Sequence, residues 1–296
     1  MKYRVLGKTA LRVSVVGVGT WQFGGEWGMR CDQGMADAIL GRAGELGINL
    51  IDTAECYGDH LSERLIGNFL RGQRQKWVVA SKFGHKFLAN FERLETWSAA
   101  EAVRSVEESL RALQTETIDV LQFHSGKNEA FDNDELWEAL HRLVQSGKVG
   151  HLGLSISPNT NSYQAGRASQ VGAETVQVIY NWLEREAEAE VLPACQAQNL
   201  GVLSRVPLAS GFLSGKYRPG ATFSNPDDVR STRDPADTQA RLAQVEEIRR
   251  SELPPGLPMA AWALAWCLKH PAVTCVIPGC KSPEQVETNA AAAELI

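Results

Sequence analysis

Short apolar runs rich in β-branched residues recur along the chain, and segments with helical spacing separate them. The runs are VSVVGVG (13–19), INLIDTA (48–54), WVVASKF (77–83), IDVLQFH (118–124), VGHLGLS (149–155), TVQVIYN (175–181), GVLSRVPL (201–208) and VTCVIPG (273–279). Continuous apolar runs of this length are typical of strands that are buried on both faces. Between them, Leu61, Leu65, Ile66 and Phe69 lie on one helical stripe. The pattern therefore predicts alternating strands and helices.

Signals at the ends of the predicted helices agree with this order. Ser98 followed by Glu101 is a capping box, and Gly147 follows the helix that carries Leu136 and Leu140. Eight strand–helix units in 296 residues favour a closed (β/α)8 TIM barrel over an open, doubly wound sheet. The stretches YRVL and LRVS predict an N-terminal β-hairpin that caps the barrel floor. We expect residues 1–296 to form one domain.

One segment interrupts the alternation. Residues 214–238 are rich in Gly, Pro, Asp, Ser and Thr, and they are too long for an ordinary connection between a strand and a helix. Such a segment is often a functional lid. A disordered insertion is an almost equally good interpretation.

Composition narrows the classes of partner. The net charge is −5, 44% of residues are hydrophobic, and Lys and Arg form no block, which argues against nucleic acid and acidic membranes as partners. No run of about 18 apolar residues predicts a membrane span. The 6 cysteines form no C-x-x-C pair, and the histidines form no H-E-x-x-H motif. We expect reduced thiols, no metal, a cytoplasmic location and a small-molecule partner.

Polar residues stand at the end of most of the predicted strands. In a TIM barrel these ends meet at one rim, where catalytic residues collect. The residues at or just after strand ends are Asp52, Tyr57, Lys82, His124, Ser155, Gln177, Arg205 and Lys281. Taken singly, Asp52 and Lys82 could be a structural ion pair, His124 a core histidine, and Tyr57 a loop aromatic that packs on Trp21. Together they indicate a site.

Several stretches resemble the aldo-keto reductase family in order and spacing over almost the whole chain. These are NLIDTAECYG with ERLIG, ASKF, DVLQFH, GLSIS, VQVIYN, PLASGFLSGKY and CVIPGCKSPEQVETN. The resemblance implies a (β/α)8 barrel that transfers hydride from a nicotinamide cofactor, usually NADPH, to an aldehyde or ketone. It also implies that Tyr57 is the general acid and that Lys82, Asp52 and His124 support it. We expect a monomer or a weak homo-oligomer.

Elementary electrostatics is compatible with these roles. A lysine about 4 Å from a phenol contributes about 4 kcal/mol at an effective dielectric constant of about 20, which matches a fall of roughly 3 pKa units. We therefore expect Lys82 to bring the pKa of Tyr57 from about 10 toward 7. Asp52 would keep Lys82 charged, and His124 would orient the carbonyl oxygen.

The chain lacks the familiar nucleotide-binding loops. After Gly17 and Gly19 the third position of a Rossmann fingerprint falls on Gln22, and GFLSGKY (211–217) does not satisfy the P-loop spacing. The last helix offers another anion site, because Ser282 is its predicted N-cap and Pro283 its first residue, directly after Lys281.

By resemblance, one set of residues would bind the cofactor NADPH or NADP⁺, with the 2′-phosphate near Lys281. The set is Gly19, Thr20, Trp21, Asp52, Ser155, Gln177, Arg205, Leu208, Gly211, Leu213, Gly215, Lys216, Gly279, Lys281, Ser282, Gln285 and Asn289. Three positions depart from the common family pattern. Gln285 stands where arginine is frequent, Ile156 where asparagine is common, and Arg205 where many members stack an aromatic ring on the nicotinamide. The charge of Arg205 would favour the reduced cofactor.

Two other functions fit parts of the pattern. Asp52 with Glu55, or Glu184 with Glu186, could form the carboxylate pair of a glycoside hydrolase on the same barrel. A barrel of this kind could also act as a redox-sensing, cofactor-binding subunit with low turnover.

Overall fold

Twelve strands are present in the computed structural model, which describes residues 1–296. They are β1 (Tyr3–Val5), β2 (Arg12–Ser14), β3 (Val18–Gly19), β4 (Leu50–Asp52), β5 (Val78–Phe83), β6 (His85–Ala89), β7 (Glu92–Glu95), β8 (Ile118–His124), β9 (Val149–Ser155), β10 (Ala173–Ile179), β11 (Gly201–Arg205) and β12 (Val273–Val276).

Ten α-helices connect or follow these strands. They are α1 (Gln33–Glu45), α2 (Leu61–Leu70), α3 (Ala99–Leu113), α4 (Asn128–Phe131), α5 (Asp134–Gln145), α6 (Ser162–Arg167), α7 (Val191–Ala197), α8 (Pro235–Ser251), α9 (Met259–Lys269) and α10 (Pro283–Ala290). Short 3₁₀ turns cover Trp21–Gly24, Arg74–Lys76, Ala168–Val171, Glu186–Glu188, Ala209–Ser214, Val229–Thr232 and Ala291–Leu295. No helix has the length and apolar character that crossing a membrane requires.

Eight parallel strands form the barrel wall in the order β3, β4, β5, β8, β9, β10, β11, β12. Parallel bridges from Val16 to Val276 and from Gly19 to Gly279 join the first strand to the last and close the sheet. The predicted TIM barrel is therefore confirmed. Its closure brings residues that are far apart in sequence, such as Asp52 and Gln177, to the same rim.

The hairpin of β1 and β2 pairs Tyr3 with Ser14 in antiparallel register, as the sequence predicts. Leu6 in its turn and Val13 in β2 are fully buried and pack with Leu50 and Leu203 inside the lower end of the barrel. A second, larger apolar core lies between the barrel wall and the surrounding helices. The hairpin therefore closes the end of the barrel opposite the site.

Local capping explains several helix ends. The Ser98 hydroxyl oxygen accepts a hydrogen bond from the amide of Glu101 at the start of α3. Gly147 follows α5 with a φ of +79°, a conformation that glycine adopts without strain. The N-cap at Ser98 and the helix end at Gly147 are therefore confirmed, whereas the Glu101 side chain pairs with Arg104 instead of completing the capping box.

The structure differs from the predicted elements in three places. The first apolar run is split between two strands. Its start belongs to β2, which pairs with β1 in the hairpin, and its end forms β3, which pairs with β4 in the barrel. The antiparallel pair β6 and β7 was not predicted, since its residues are mostly polar and exposed. Within 214–238, a 3₁₀ turn forms at Val229–Thr232, and α8 already begins at Pro235.

Candidate active site

Lys82 links the residues at the base of the rim. Its ammonium nitrogen lies 2.6 Å from Asp52 Oδ1, 2.7 Å from the carbonyl oxygen of Thr53 and 3.3 Å from the Tyr57 hydroxyl oxygen. Asp52 ends β4, and Lys82 lies near the end of the neighbouring strand β5. Adjacent parallel strands therefore hold the ammonium and the carboxylate together, and the turn after β4 brings in the phenol.

The Asp52 carboxylate is fixed on its other side as well. Its Oδ2 accepts hydrogen bonds from Gln177 Nε2 at 2.6 Å and from Gln122 Nε2 at 3.1 Å. Burial acts to lower the pKa of Lys82, but the charges and hydrogen bonds of Asp52 and Tyr57 outweigh it and raise that pKa. Lys82 consequently stays a cation.

Tyr57 behaves differently from the sequence-based expectation. Burial raises the pKa of Tyr57 to about 12; Asp52 and Cys56 act in the same direction, and Lys82 opposes them. The predicted fall toward 7 is wrong for this structure, because it counted the attraction of Lys82 but omitted the loss of water around the phenol. The ring of Trp21 stacks beside Tyr57 at a centroid distance of 6.2 Å.

His124 ends β8 and faces Tyr57 edge-on, with ring centroids 6.3 Å apart. Burial, followed by the charges of Lys82 and other cations, lowers the pKa of His124 well below its usual value. The imidazole is therefore neutral near pH 7 and keeps one N–H donor. Its Nδ1 is 3.9 Å from the Cys56 sulfur.

A cavity of about 670 Å³ opens above these residues, with Tyr57 and His124 in its lining. Most residues expected to bind the cofactor also line it: Gly19, Thr20, Trp21, Asp52, Gln177, Arg205, Leu208, Gly211, Lys216, Gly279, Lys281, Gln285 and Asn289. Ser155, Leu213, Gly215 and Ser282 do not line it. Lys82 is buried beneath the cavity floor.

Unpartnered polar atoms around the cavity fit a bound polar group. Ser155 Oγ, Arg205 Nε, Gln22 Oε1 and Trp27 Nε1 are buried and form no hydrogen bond within the protein. Such atoms are uncommon in folded proteins and call for a ligand or a water molecule. Three of these residues, Gln22, Trp27 and Arg205, line the cavity, which can therefore hold a ligand that has hydrogen-bond donors and acceptors, as a nicotinamide cofactor has.

The start of α10 forms the far end of the cavity. Ser282 occupies the N-cap position, as expected, but its side chain forms no capping hydrogen bond. Gln285 Oε1 instead accepts from the Lys281 amide at 2.9 Å, and Asn289 Nδ2 contacts the Cys280 sulfur at 3.2 Å. The Lys281 ammonium is bound by the carbonyl oxygen of Trp27 at 2.6 Å.

Comparison with known proteins agrees with this geometry. The model of the Aldo/keto reductase family matches residues 15–295. The chain belongs to the aldo-keto reductase family. Members are oxidoreductases that use nicotinamide cofactors and act on small-molecule carbonyl compounds.

Individual relatives cover nearly the full chain. The uncharacterized oxidoreductase YrpG of Bacillus subtilis is 34% identical, over 100% of this chain and 92% of its own length. The holo form of aldo-keto reductase AKR11C1 from Bacillus halodurans superposes with a TM-score of 0.83 at 32% identity, covering 99% of this chain and 91% of its own. A probable voltage-gated potassium channel subunit beta of Arabidopsis thaliana is 30% identical, over 100% of this chain and 92% of its own length.

In this aldo-keto reductase, the segment expected to be a lid lies along the cavity. Arg230 pairs with Asp228 at 2.6 Å, donates to the Tyr217 hydroxyl at 2.9 Å, and lies over the ring of Phe223. An antiparallel bridge joins Asp228 to Trp27 on the opposite loop. These contacts order the segment, so the interpretation as a disordered insertion is not supported.

One wall of the site, formed by Glu26 and the β6–β7 hairpin, was not predicted from the sequence. Glu26 is fully buried and accepts hydrogen bonds from Trp21 Nε1 at 2.5 Å, from the Phe91 amide at 2.6 Å and from Arg93 at 2.6 Å. Arg93 and His85 come from the unpredicted β6–β7 hairpin and line the cavity beside Tyr57. A single glutamate between Gly25 and Trp27 carries no pattern that would have identified it.

The glycoside hydrolase interpretation loses its structural basis. Glu55 Oε1 accepts from the amides of Gly84 at 2.6 Å and His85 at 2.8 Å, and its Oε2 is bound by the Ser105 hydroxyl. Asp52 is held in the ion pair with Lys82. Neither carboxylate is free to act on a substrate in the cavity. In the second pair, Glu184 with Glu186, the Glu184 carboxylate is likewise occupied by an ion pair with Arg241.

Proposed function

We propose that this protein reduces aldehydes or ketones with NADPH, with Tyr57 as the general acid and Lys82, Asp52 and His124 in support. One observation carries the proposal: a single buried ammonium contacts both the Asp52 carboxylate and the Tyr57 hydroxyl at the base of the cavity. A phenol in this position can donate its proton to a carbonyl oxygen bound above it.

These four residues, Tyr57, Lys82, Asp52 and His124, are here called the tetrad, and they provide both the proton and the orientation. Tyr57 donates its proton to the carbonyl oxygen, and the Lys82 cation stabilises the phenolate that remains. An alkoxide is far more basic than a phenolate, so Tyr57 can deliver the proton even with a pKa of about 12. Neutral His124 offers an N–H donor that holds the same oxygen. When bound, NADPH supplies the hydride to the carbonyl carbon.

Residues in the cavity lining or adjacent to it suit the successive parts of the cofactor. Ser155 and Gln177 would hold the nicotinamide carboxamide, and Arg205 would lie against the ring. Gly211, Gly215 and Lys216, with Leu208 and Leu213, would border the pyrophosphate, and Gly279, Ser282, Gln285 and Asn289 the adenosine. Lys281 at the start of α10 would receive the 2′-phosphate, since a helix N-terminus and a cation both attract anions. This arrangement favours NADPH over NADH.

Replacing Tyr57 by phenylalanine tests the proposal. We expect Tyr57→Phe to bind NADPH like the parent and to lose carbonyl reduction by several orders of magnitude, because only the proton donor is removed. Tyr163→Phe is a matched control, since that hydroxyl contacts Asp132 on the outer surface. Unchanged reduction by Tyr57→Phe would rule out the assigned mechanism.

A redox-sensing subunit with low turnover is a second candidate. It is supported by the channel-subunit relative, which is 30% identical to this chain. Cofactor that stays bound through purification, with turnover far slower than cofactor exchange, would favour this role. Rapid reduction of simple aldehydes would favour the enzyme.

We also propose that residues 1–296 form a single domain. The proposed location is cytoplasmic, and the proposed state is a monomer or a weak homo-oligomer.

A further inference from the structure

Arg205 is a half-buried cation that has no acidic partner. It ends β11 and lines the cavity, and it takes part in none of the ion pairs of the protein. Its Nε is buried without a hydrogen-bond partner, and Nη2 reaches only the carbonyl oxygen of Ile156 at 3.2 Å. A guanidinium stays charged near pH 7, so an unpaired positive charge faces the cavity here.

The neighbouring groups do not compensate that charge. Asp52 and Lys82 form a pair at 2.6 Å and cancel each other. His124 is neutral because its pKa is lowered well below the usual value by burial and nearby cations, and Tyr57 keeps its proton. The tetrad is thus neutral as a whole, and Arg205 leaves one unit of positive charge beside it.

No other acidic group can serve as the partner of Arg205. Glu184 is the remaining acid whose charge acts on Arg205, but it is 3.5 Å from Arg241 and also accepts from Asn181. On the cavity side, Glu26 is already bound by Arg93. Whatever occupies the cavity therefore experiences the field of Arg205.

A cofactor ring bound for reaction would occupy the cavity that Arg205 lines. The hydride donor must come within about 3–3.5 Å of the carbonyl carbon whose oxygen Tyr57 protonates. Arg205, Tyr57 and His124 all line this one cavity. A ring that reacts above Tyr57 would therefore share the cavity with the Arg205 guanidinium.

Building on the proposed function, we propose that Arg205 sets the redox preference of cofactor binding. The oxidised nicotinamide ring carries a positive charge and is repelled by the guanidinium, whereas the reduced ring is neutral. The phosphates carry the same charge in both forms, so they cancel when the two affinities are compared. The protein thus binds NADPH more tightly than NADP⁺, which keeps the site loaded with the reduced cofactor and favours release of the oxidised product.

Dissociation constants for NADPH and NADP⁺ test this inference, measured by fluorescence titration and by displacement of NADPH. We expect the parent protein to bind NADPH about tenfold more tightly than NADP⁺ or better, which corresponds to a rise of about 30 mV in the potential of the bound couple. In Arg205→Met, which keeps much of the stem and removes the charge, this ratio should fall toward one. Arg205→Lys should retain most of it.

Lys216→Met is the matched control. It removes a different cavity cation at the expected pyrophosphate position, so it should weaken both forms equally and leave the ratio unchanged. A parent ratio near one would overturn the inference without any variant, and so would an unchanged ratio in a folded Arg205→Met. Failure of the parent to bind either form would instead overturn the proposed function together with the inference.

Discussion

The Lys82 ammonium and the Asp52 carboxylate form an ion pair at 2.6 Å with almost no access to solvent. Each charge is tolerable there only because the other is present, since an isolated buried ion loses its hydration without compensation. The pair is therefore both a structural tie between β4 and β5 and the support of the Tyr57 hydroxyl.

Lys82→Met should reveal both functions. We expect it to reduce carbonyl reduction by about 10²-fold or more and to lower the free energy of unfolding by about 3–5 kcal/mol, because Asp52 is left as an unpaired buried charge. Urea denaturation and steady-state kinetics measure the two effects. The double variant Lys82→Met/Asp52→Asn should recover much of the stability but none of the activity. Recovery of activity in the double variant would contradict the assigned role of the ammonium.

The protonation states of the site predict a flat pH profile. Tyr57 is active in its protonated form, which is lost only as pH rises through a pKa of about 12. His124 is neutral near pH 7 and gains a charge only as pH falls through a pKa well below its usual 6.5. At saturating NADPH, we expect kcat/KM for the carbonyl substrate to be constant from pH 6.5 to about 9. An inflection near pH 7 to 8 would show that the phenol titrates there after all.

Much of the fold and of the site could be predicted from the sequence, because the local hydrophobic pattern agrees with the tertiary structure. Continuous apolar strands require a sheet covered on both faces, and the barrel then brings the residues at the ends of those strands to one rim. Asp52 and Lys82 were predictable in this way. The burial of the Tyr57 hydroxyl could not be predicted, because the loss of water around it depends on the loop that carries Trp21. The wall built by Glu26 likewise depends on contacts between distant loops.

Cofactor preference should depend on Lys281. We expect Lys281→Met to bind NADPH at least about tenfold more weakly and NADH with little change, because the 2′-phosphate is present only in NADPH. Titration of each cofactor measures this. Lys216→Met should weaken both cofactors alike, since the pyrophosphate is common to them. An equal loss for both in Lys281→Met would place that lysine elsewhere on the cofactor.

The backbone after β4 can be displaced without touching any polar group of the site. A methyl group on Gly24 would lie 2.7 Å from the carbonyl carbon of Tyr57 and 2.8 Å from the amide nitrogen of Gly58. These are backbone atoms, so the turn that carries Tyr57 has to move. Even a shift of about 1 Å can cost about 10²-fold in rate. We therefore expect Gly24→Ala to lower kcat more than tenfold while NADPH affinity stays nearly unchanged.

Gly41→Ala provides the matched comparison for this test. Gly41 lies within α1, and a methyl group there would have no neighbour within 4 Å. The substitution should leave kcat unchanged and raise stability by about 0.5–1 kcal/mol, because alanine loses less entropy than glycine in a helix. Normal kcat in Gly24→Ala would mean that the Tyr57 turn can move without consequence, and that the position of the hydroxyl does not limit the rate.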